Sequence, residues 1–208
     1  MGNIMRVIVG CEQSQVITGA FRKVGIEAFS CDLEQTEGNP EWHFHEDILE
    51  VLKREKFDLG IFHPPCTYLS YVANRHWNEP GRDLLRQEAM DFFMKLYNST
   101  IPKICVENPV GYPNAVFRKP DQIIHPYYFG DPELKRTCLW LRNLPKLDYS
   151  RTIIEKPKPY YYSNGEKTKG KAIYFTEAHK QSVIRSRTFQ EIANAMVSQW
   201  GCKESIGE

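Results

Sequence analysis

Apolar residues fall along this chain in short β-branched runs that alternate with stretches of helical spacing. Met5 to Val9 is such a run; it ends at Gly10 and predicts a first strand. Val16, Ile17, Ala20, Phe21 and Val24 then recur at helical spacing, and Gly25 stands where a helix C-cap belongs. Ile26 to Ser30 predicts a second short strand, with Asp32 directly behind it. The polar stretch Glu34 to Trp42 carries Gly38, Asn39 and Pro40 and reads as a loop. The segment His43 to Ile48 holds a third short predicted strand ahead of Asp47, and Leu49 to Lys56 a turn or two of helix. Leu59, Ile61 and Phe62 form the apolar run of a buried strand. Pro64 and Pro65 end it, because proline has no N–H for a ladder.

Tyr71 to Arg82 is aromatic and polar without a period, and reads as a mobile active-site loop. Leu84, Leu85, Ala89, Phe92, Phe93, Leu96 and Tyr97 predict an amphipathic helix. Ile101 to Val106 predicts another buried strand, ending in the turn Glu107 to Gly111. Ile123 to Tyr128 and Thr137 to Leu141 read as paired strands around the polar turn Gly130 to Arg136. Phe189, Ile192, Ala193, Met196, Val197 and Trp200 share one face of a last helix. Strands alternating with helices predict an α/β domain spanning 1–208, with one sheet flanked by helices.

Between Lys146 and Lys180 the character changes. Lys156, Lys158, Lys167, Lys169 and Lys171 are interleaved with Tyr160, Tyr161, Tyr162 and Tyr174. That mixture suits a nucleic-acid backbone and stacked bases, and equally a solvated lysine-rich loop. Residues 146–182 therefore read as a basic, aromatic insertion.

Composition narrows the class. The 208 residues suit one ordinary domain, and a net charge of +1 gives no global basic field. Six cysteines (Cys11, Cys31, Cys66, Cys105, Cys138, Cys202) are scattered without a close pair. That argues against a disulfide framework and for a reducing compartment. With no leader and no membrane-length apolar run, the expectation is a cytoplasmic protein without a membrane partner.

Candidate chemistry gathers at predicted strand ends. Cys66 lies just past the carboxyl end of a buried strand, the edge where open α/β sheets bind ligands. A thiol on a rigid turn there is a candidate nucleophile; the other reading is a small buried hydrophobe. The order strand, turn, helix, strand, acid from Met5 to Asp32 builds a nucleotide or nucleoside site, although the turn carries only Gly10. Glu107 would stand at the tip of a strand near Cys66. His43, His45, His63 and Cys66 have His-x-His and His-x-x-Cys spacings, but no Cys-x-x-Cys accompanies them, and no metal is expected.

In this order the pieces resemble the DNA cytosine-C5 methyltransferases, S-adenosyl-L-methionine-dependent enzymes with a cysteine nucleophile. Pro64-Pro65-Cys66-Thr67-Tyr68-Leu69-Ser70 looks like their Pro-Cys loop, and Glu107-Asn108 like their Glu-Asn motif. Val9-Gly10 resembles the cofactor-binding motif, Asp32 the ribose acid, and Asp47-Ile48 the pair that touches the adenine. Lys135-Arg136 is similar to the later arginine motif, and Gln190 to Val197 to the C-terminal motif. The likeness is closest to the short forms carried by bacteriophages and prophages. Four departures stand out. Cys11, Glu12 and Gln13 replace glycines, Thr67 replaces the usual Gln, only Arg136 of paired arginines is clear, and no large target-recognition domain is present.

The resemblance implies a Rossmann-like methyltransferase fold with the target-recognition domain reduced or absent. It implies Cys66, Glu107 and Arg136 as catalytic residues. Gly10, Cys11, Glu12, Asp32, Asp47, Ile48, Pro64 and Asn194 would bind the cofactor, and Ser70, Asn108 and Lys135 the substrate. The cofactor would be S-adenosyl-L-methionine and the partner duplex or single-stranded DNA, with a partner protein or self-association supplying target recognition. Cys66 would add to C6 of cytosine so that C5 takes the methyl group, and Glu107, its pKa raised by burial, would protonate N3. The alternatives are an N4-cytosine or N6-adenine amino-methyltransferase, and a cofactor- or nucleic-acid-binding protein without turnover.

Overall fold

The computed structural model describes residues 5–71, 76–157 and 187–201. Its centre is a seven-stranded sheet in the order β3-β2-β1-β4-β5-β7-β6. The strands are β1 (Arg6–Gly10), β2 (Glu27–Asp32), β3 (His43–His45), β4 (Leu59–Phe62), β5 (Lys103–Pro109), β6 (Gln122–Ile124) and β7 (Thr137–Arg142). β3, β2, β1, β4 and β5 run parallel, while β7 pairs antiparallel with both β5 and β6. The helices are α1 (Val16–Lys23), α2 (Ile48–Arg54), α3 (Arg82–Tyr97), α4 (Tyr112–Val116) and α5 (Gln190–Trp200). Helices on both faces of a mostly parallel sheet make this a Rossmann-like α/β fold.

Strand alternation sends side chains to two apolar layers. Val7, Val9, Ile61, Cys105 and Leu139 meet Ile17 and Phe21 of α1 and Ile192, Met196 and Trp200 of α5. Ile8, Phe62, Ile104, Val106 and Trp140 meet Ile48 and Val51 of α2 and Met90, Phe93 and Leu96 of α3. Each large side chain buried this way contributes roughly 1.5–3 kcal/mol. The Phe62 ring leaves no room beside it. A Cβ on Gly10 would come to 2.7 Å from Phe62 Cδ1, and one on Gly60 to 2.7 Å from Phe62 Cε2. Two glycines on neighbouring strands thus accommodate one ring.

Several boundaries differ from the sequence reading. β5 does not turn at Glu107; Glu107, Asn108 and Pro109 stay in the strand because β7 pairs with them. The first predicted strand of the last pair stops at Ile124, and Pro126–Tyr128 is a 3-10 turn. α3 buries Arg86, Met90, Phe93 and Leu96, whereas Leu84 and Leu85 are 63% and 40% exposed. Its buried stripe is rotated from the expected one because the Arg86 guanidinium packs over Trp77, 3.5 Å from the ring centroid, and donates to the Trp77 carbonyl. Residues 72–75 of the predicted active-site loop, and most of the basic segment with Lys158, Tyr160, Tyr161, Tyr162, Lys167, Lys169, Lys171 and Tyr174, lie outside the described residues, as does Cys202. Among the described residues no helix is long and apolar enough to cross a membrane.

Candidate active site

The Cys66 loop leaves β4 at the carboxyl edge of the sheet and is tied down on both sides of the thiol. His63 N–H donates to the Gly10 carbonyl at 3.0 Å. Buried Asn108 Nδ2 donates to the Pro64 carbonyl at 2.8 Å. Beyond Cys66, the N–H groups of Leu69 and Ser70 turn back onto the Cys66 carbonyl at 3.1 and 2.9 Å. Ser70, itself buried, then bridges to Gly111, and Tyr112 N–H donates to Leu69 O at 2.7 Å. Gly111 is required for that approach, since a Cβ there would lie 1.9 Å from the Leu69 carbonyl oxygen. Pro64 and Leu69 are buried, whereas Pro65, Cys66 and Thr67 are exposed. The expected rigid turn is therefore present, with the cysteine at its open crest.

β5 carries the neighbouring groups. The last β4–β5 pair is Phe62 with Val106, so the next residues, His63 and Glu107, emerge side by side on the α1/α5 face. His63 Nδ1 lies 3.0 Å from Glu107 Oε2, with the side chains only 14% and 16% exposed. An ionised carboxylate only accepts, so Nδ1–H donates. Lys135, just ahead of β7, lines the same recess together with Thr137, Phe189 and Ile192. Its ammonium donates to the Arg187 carbonyl at 3.3 Å and stands 6.0 Å from the Phe189 ring centroid.

The electrostatics differ from expectation at one key group. Burial pushes the Glu107 carboxyl up, but the His63 hydrogen bond and the Lys135 charge outweigh it, and the net shift is downward. Burial alone, the effect expected from the sequence, would raise the value; the imidazole partner reverses the sign. The Cys66 thiol is pushed up, first by desolvation and then by the Glu107 charge, with Lys135 opposing. Cys66 thus senses one anion and one cation from adjacent strands.

Arg136 does not join this group. It is exposed, and its charge acts on His125, Tyr128 and Cys138. Of the Lys135-Arg136 pair, the lysine faces Glu107 and Cys66.

The expected cofactor residues separate into two sets. Cys11, at φ 59, donates its N–H to the Cys31 carbonyl at 2.7 Å and turns the chain at the tip of β1. Its thiol is pushed up by burial, then by Asp32, Cys31 and Asp47, so both carboxylates converge on this tip beside Gly10. Asp32 closes β2, its Oδ1 accepting from Glu34 N–H at 3.0 Å. Glu12 is spoken for. It is 5% exposed, and its oxygens accept from Ile17 N–H at 2.7 Å and from the Thr18 N–H and hydroxyl at 3.2 and 2.6 Å. Its carboxyl oxygens cap α1, whose N-terminal N–H groups would otherwise be orphaned. Burial is the first cause raising its pKa. Asp47 likewise caps α2, accepting from Leu49 N–H at 2.8 Å, and Ile48 packs in the core. Asn194 sits on the exposed side of α5, held by Gln190 and Glu191 at 3.0 and 3.2 Å; Ile192 and Met196 face the recess instead.

Two features were not singled out from the sequence. Gln15, at φ 55, holds Ser30 Oγ through Nε2 at 2.9 Å and both the N–H and carbonyl of Asn39, fastening the loop behind β2 to the tip of β1. Only its neighbour Gly38, needed because a Cβ would strike Gln15 Oε1, gives a sign of it. His63 was considered as a metal ligand, not as the partner of Glu107. His43 and His45 spend ring nitrogens on Ser30, Glu34 and Leu33. Among the described residues no cluster of three His, Cys, Asp or Glu side chains could hold a metal.

No family model and no curated protein matches the chain. Solved structures do. The S. pombe Dnmt2 methyltransferase aligns at 14% identity and TM-score 0.45, over 73% of this chain and 57% of that one. Entamoeba histolytica methyltransferase EhMeth aligns at 14% and 0.46, over 76% and 58%. An rRNA methylase from Escherichia coli aligns at 13% and 0.38, over 65% and 55%. The chain therefore spans less than two thirds of each of these structures.

Proposed function

We propose that the chain is an S-adenosyl-L-methionine-dependent methyltransferase acting on C5 of cytosine in DNA through a covalent adduct at Cys66. The observation that carries this reading is the placement of Cys66 on an anchored crest past β4, within the fields of Glu107 and Lys135 at the same sheet edge.

The residues fit the donor. Gly10 and Cys11 turn tightly at the tip of β1, and the Asp32 and Asp47 carboxylates converge there, suited to ribose hydroxyls and to a cationic ligand. Asp32, Gly10, Cys11 and Ile48 would hold S-adenosyl-L-methionine, while Glu12 would act indirectly, by fixing α1. When bound, the donor supplies an electrophilic methyl group.

The chain's own groups do the rest. C5 of cytosine is a poor nucleophile, and addition of the Cys66 thiolate to C6 loads electron density onto it. Lys135 lowers the cost of forming the thiolate, and Glu107 raises it. The ionised Glu107 carboxylate accepts from the exocyclic amine, a donor that uracil and thymine lack. Asn108 and Ser70 act by holding the loop. In duplex DNA the base must be flipped out, at a cost of a few kcal/mol, and less in a single strand. Arg136, at the same edge as Lys135, would contact backbone phosphate. Residues 146–182, a partner protein or a second copy would supply target recognition.

The test is methyl transfer to cytosine-containing DNA followed by nucleoside analysis. Label in 5-methylcytosine supports the reading. Label in an amino-methylated base, or bound donor without transfer, contradicts it.

A further inference from the structure

Glu107 meets the reaction as an ionised carboxylate, because His63 and Lys135 outweigh its burial. An ionised carboxylate has no proton to give. Yet electron density builds on the ring nitrogen N3 as the thiolate adds to C6, and a proton is needed there. The group sharing a hydrogen bond with Glu107 is the His63 imidazole, 3.0 Å away through Nδ1. Its other nitrogen, Nε2, is buried without a hydrogen-bond partner among the described residues. An imidazole can carry a second proton and hand it on through a hydrogen bond, which the carboxylate alone cannot supply.

We infer that His63 is a positioning residue that acts through Glu107, orienting its carboxylate and passing it the proton that N3 takes up. This rests on the cytosine methyltransferase reading. As the bond from Sγ to C6 forms, the proton moves from His63 Nδ1 to Glu107 and from Glu107 to N3. His63 goes from cation to neutral imidazole, Glu107 ends as it began, and the thiolate's charge is neutralised in the N3-protonated adduct. After C5 has taken the methyl group, the N3 proton returns by the same path, C5 gives up its own proton to solvent, and the bond from Sγ to C6 breaks with its electron pair leaving on sulfur as the C5–C6 double bond re-forms. The charged and titratable groups facing the pair are Glu12 from the loop behind β1, Lys135 ahead of β7 and the thiols of Cys66, of Cys105 on β5 and of Cys138 on β7. α5 presents Phe189, Ile192 and Met196, which exclude water and do not titrate.

The test is the pH profile of kcat for wild type and His63→Gln. The amide keeps an N–H toward Glu107 but carries no titrating proton. The path predicts a loss of about 100-fold in kcat, in the range for a lost proton donor, with KM for DNA little changed. It also predicts that the fall of wild-type kcat with rising pH is absent from the variant. A His63→Gln profile that matches wild type in height and shape overturns the inference while leaving the methyltransferase reading intact. If wild type itself transfers no methyl group, that reading fails and takes the path with it. Should His63→Gln not fold, NMR titration of the His63 ring in wild type and Glu107→Gln replaces it. A lower midpoint without the carboxylate is expected, and an unchanged midpoint overturns the pairing.

Discussion

Asn108 Nδ2 donates to the Pro64 carbonyl at 2.8 Å, joining residues 44 positions apart. The bond makes β5 the splint for the cysteine loop, because Pro64 has no N–H with which to hold itself to the sheet. Asn108 is 1% exposed, so its removal leaves a buried carbonyl unsatisfied. Asn108→Ala should cost about 1–3 kcal/mol of stability. Methyl transfer should fall further than stability does, because Cys66 loses its placement. Urea unfolding beside transfer rates checks both; an unchanged rate would show that the splint does not matter to catalysis.

Gly10 answers to packing as well as to ligand approach. An alanine Cβ would press on Phe62 Cδ1 at 2.7 Å and on Ile48 Cγ1 at 3.1 Å. Gly10→Ala should destabilise by roughly 1–3 kcal/mol, the usual cost of overpacking. Adding Phe62→Leu should recover part of the loss, a coupling that a double-mutant cycle measures directly. Additive losses would mean that the ring is not the obstacle.

The thiol of Cys66 is held above its ordinary value by desolvation and Glu107, against the pull of Lys135. Its alkylation by iodoacetamide should therefore be slow near neutral pH and rise with pH, since the thiolate is the reactive form. Lys135→Gln removes the only lowering charge among these groups and should slow alkylation further at a given pH; Glu107→Gln should speed it. The opposite order for the two variants would reverse the assigned electrostatics.

Asp121 ties β6 to β7. Its Oδ2 accepts from Arg118 and from Leu141 N–H, both at 2.7 Å. Burial raises its pKa, but the Arg118 and Leu141 hydrogen bonds prevail and hold it below the ordinary aspartate value of 3.8. A depressed folded-state value adds stability above the unfolded value and loses it as pH falls through the folded one. Asp121→Asn should be less stable by about 1–2 kcal/mol at pH 7. Its deficit should shrink as pH drops below 3.8. Thermal melts across pH test this; a deficit constant from pH 7 to pH 2 would contradict it.

Elements whose residues answer to local rules were legible. The β1 run, the α1 period and Gly25, at φ 81, appear where the sequence placed them. So do the apolar β4 and the prolines that end it. What the sequence hid were matters of pairing. β5 continues through Glu107 only because β7 lies beside it, and no local pattern says so. Glu12 and Asp47 fit a family motif but serve helix N-termini, where a carboxylate satisfies N–H groups of the next turn. Lys135 and Arg136 are neighbours in sequence, yet only the lysine meets Glu107. The charge on Glu107 depends on His63, a partner 44 positions away that no local pattern reveals.

The central claim is that Cys66 is the nucleophile of a cytosine C5 methyl transfer. The direct measurement is transfer of tritiated methyl from S-adenosyl-L-methionine to unmodified duplex and single-stranded DNA, wild type beside Cys66→Ala, with nucleoside analysis. The account predicts label in 5-methylcytosine from wild type and none from Cys66→Ala, although the variant still binds the donor. Full transfer by Cys66→Ala, or label in any other base, would contradict it.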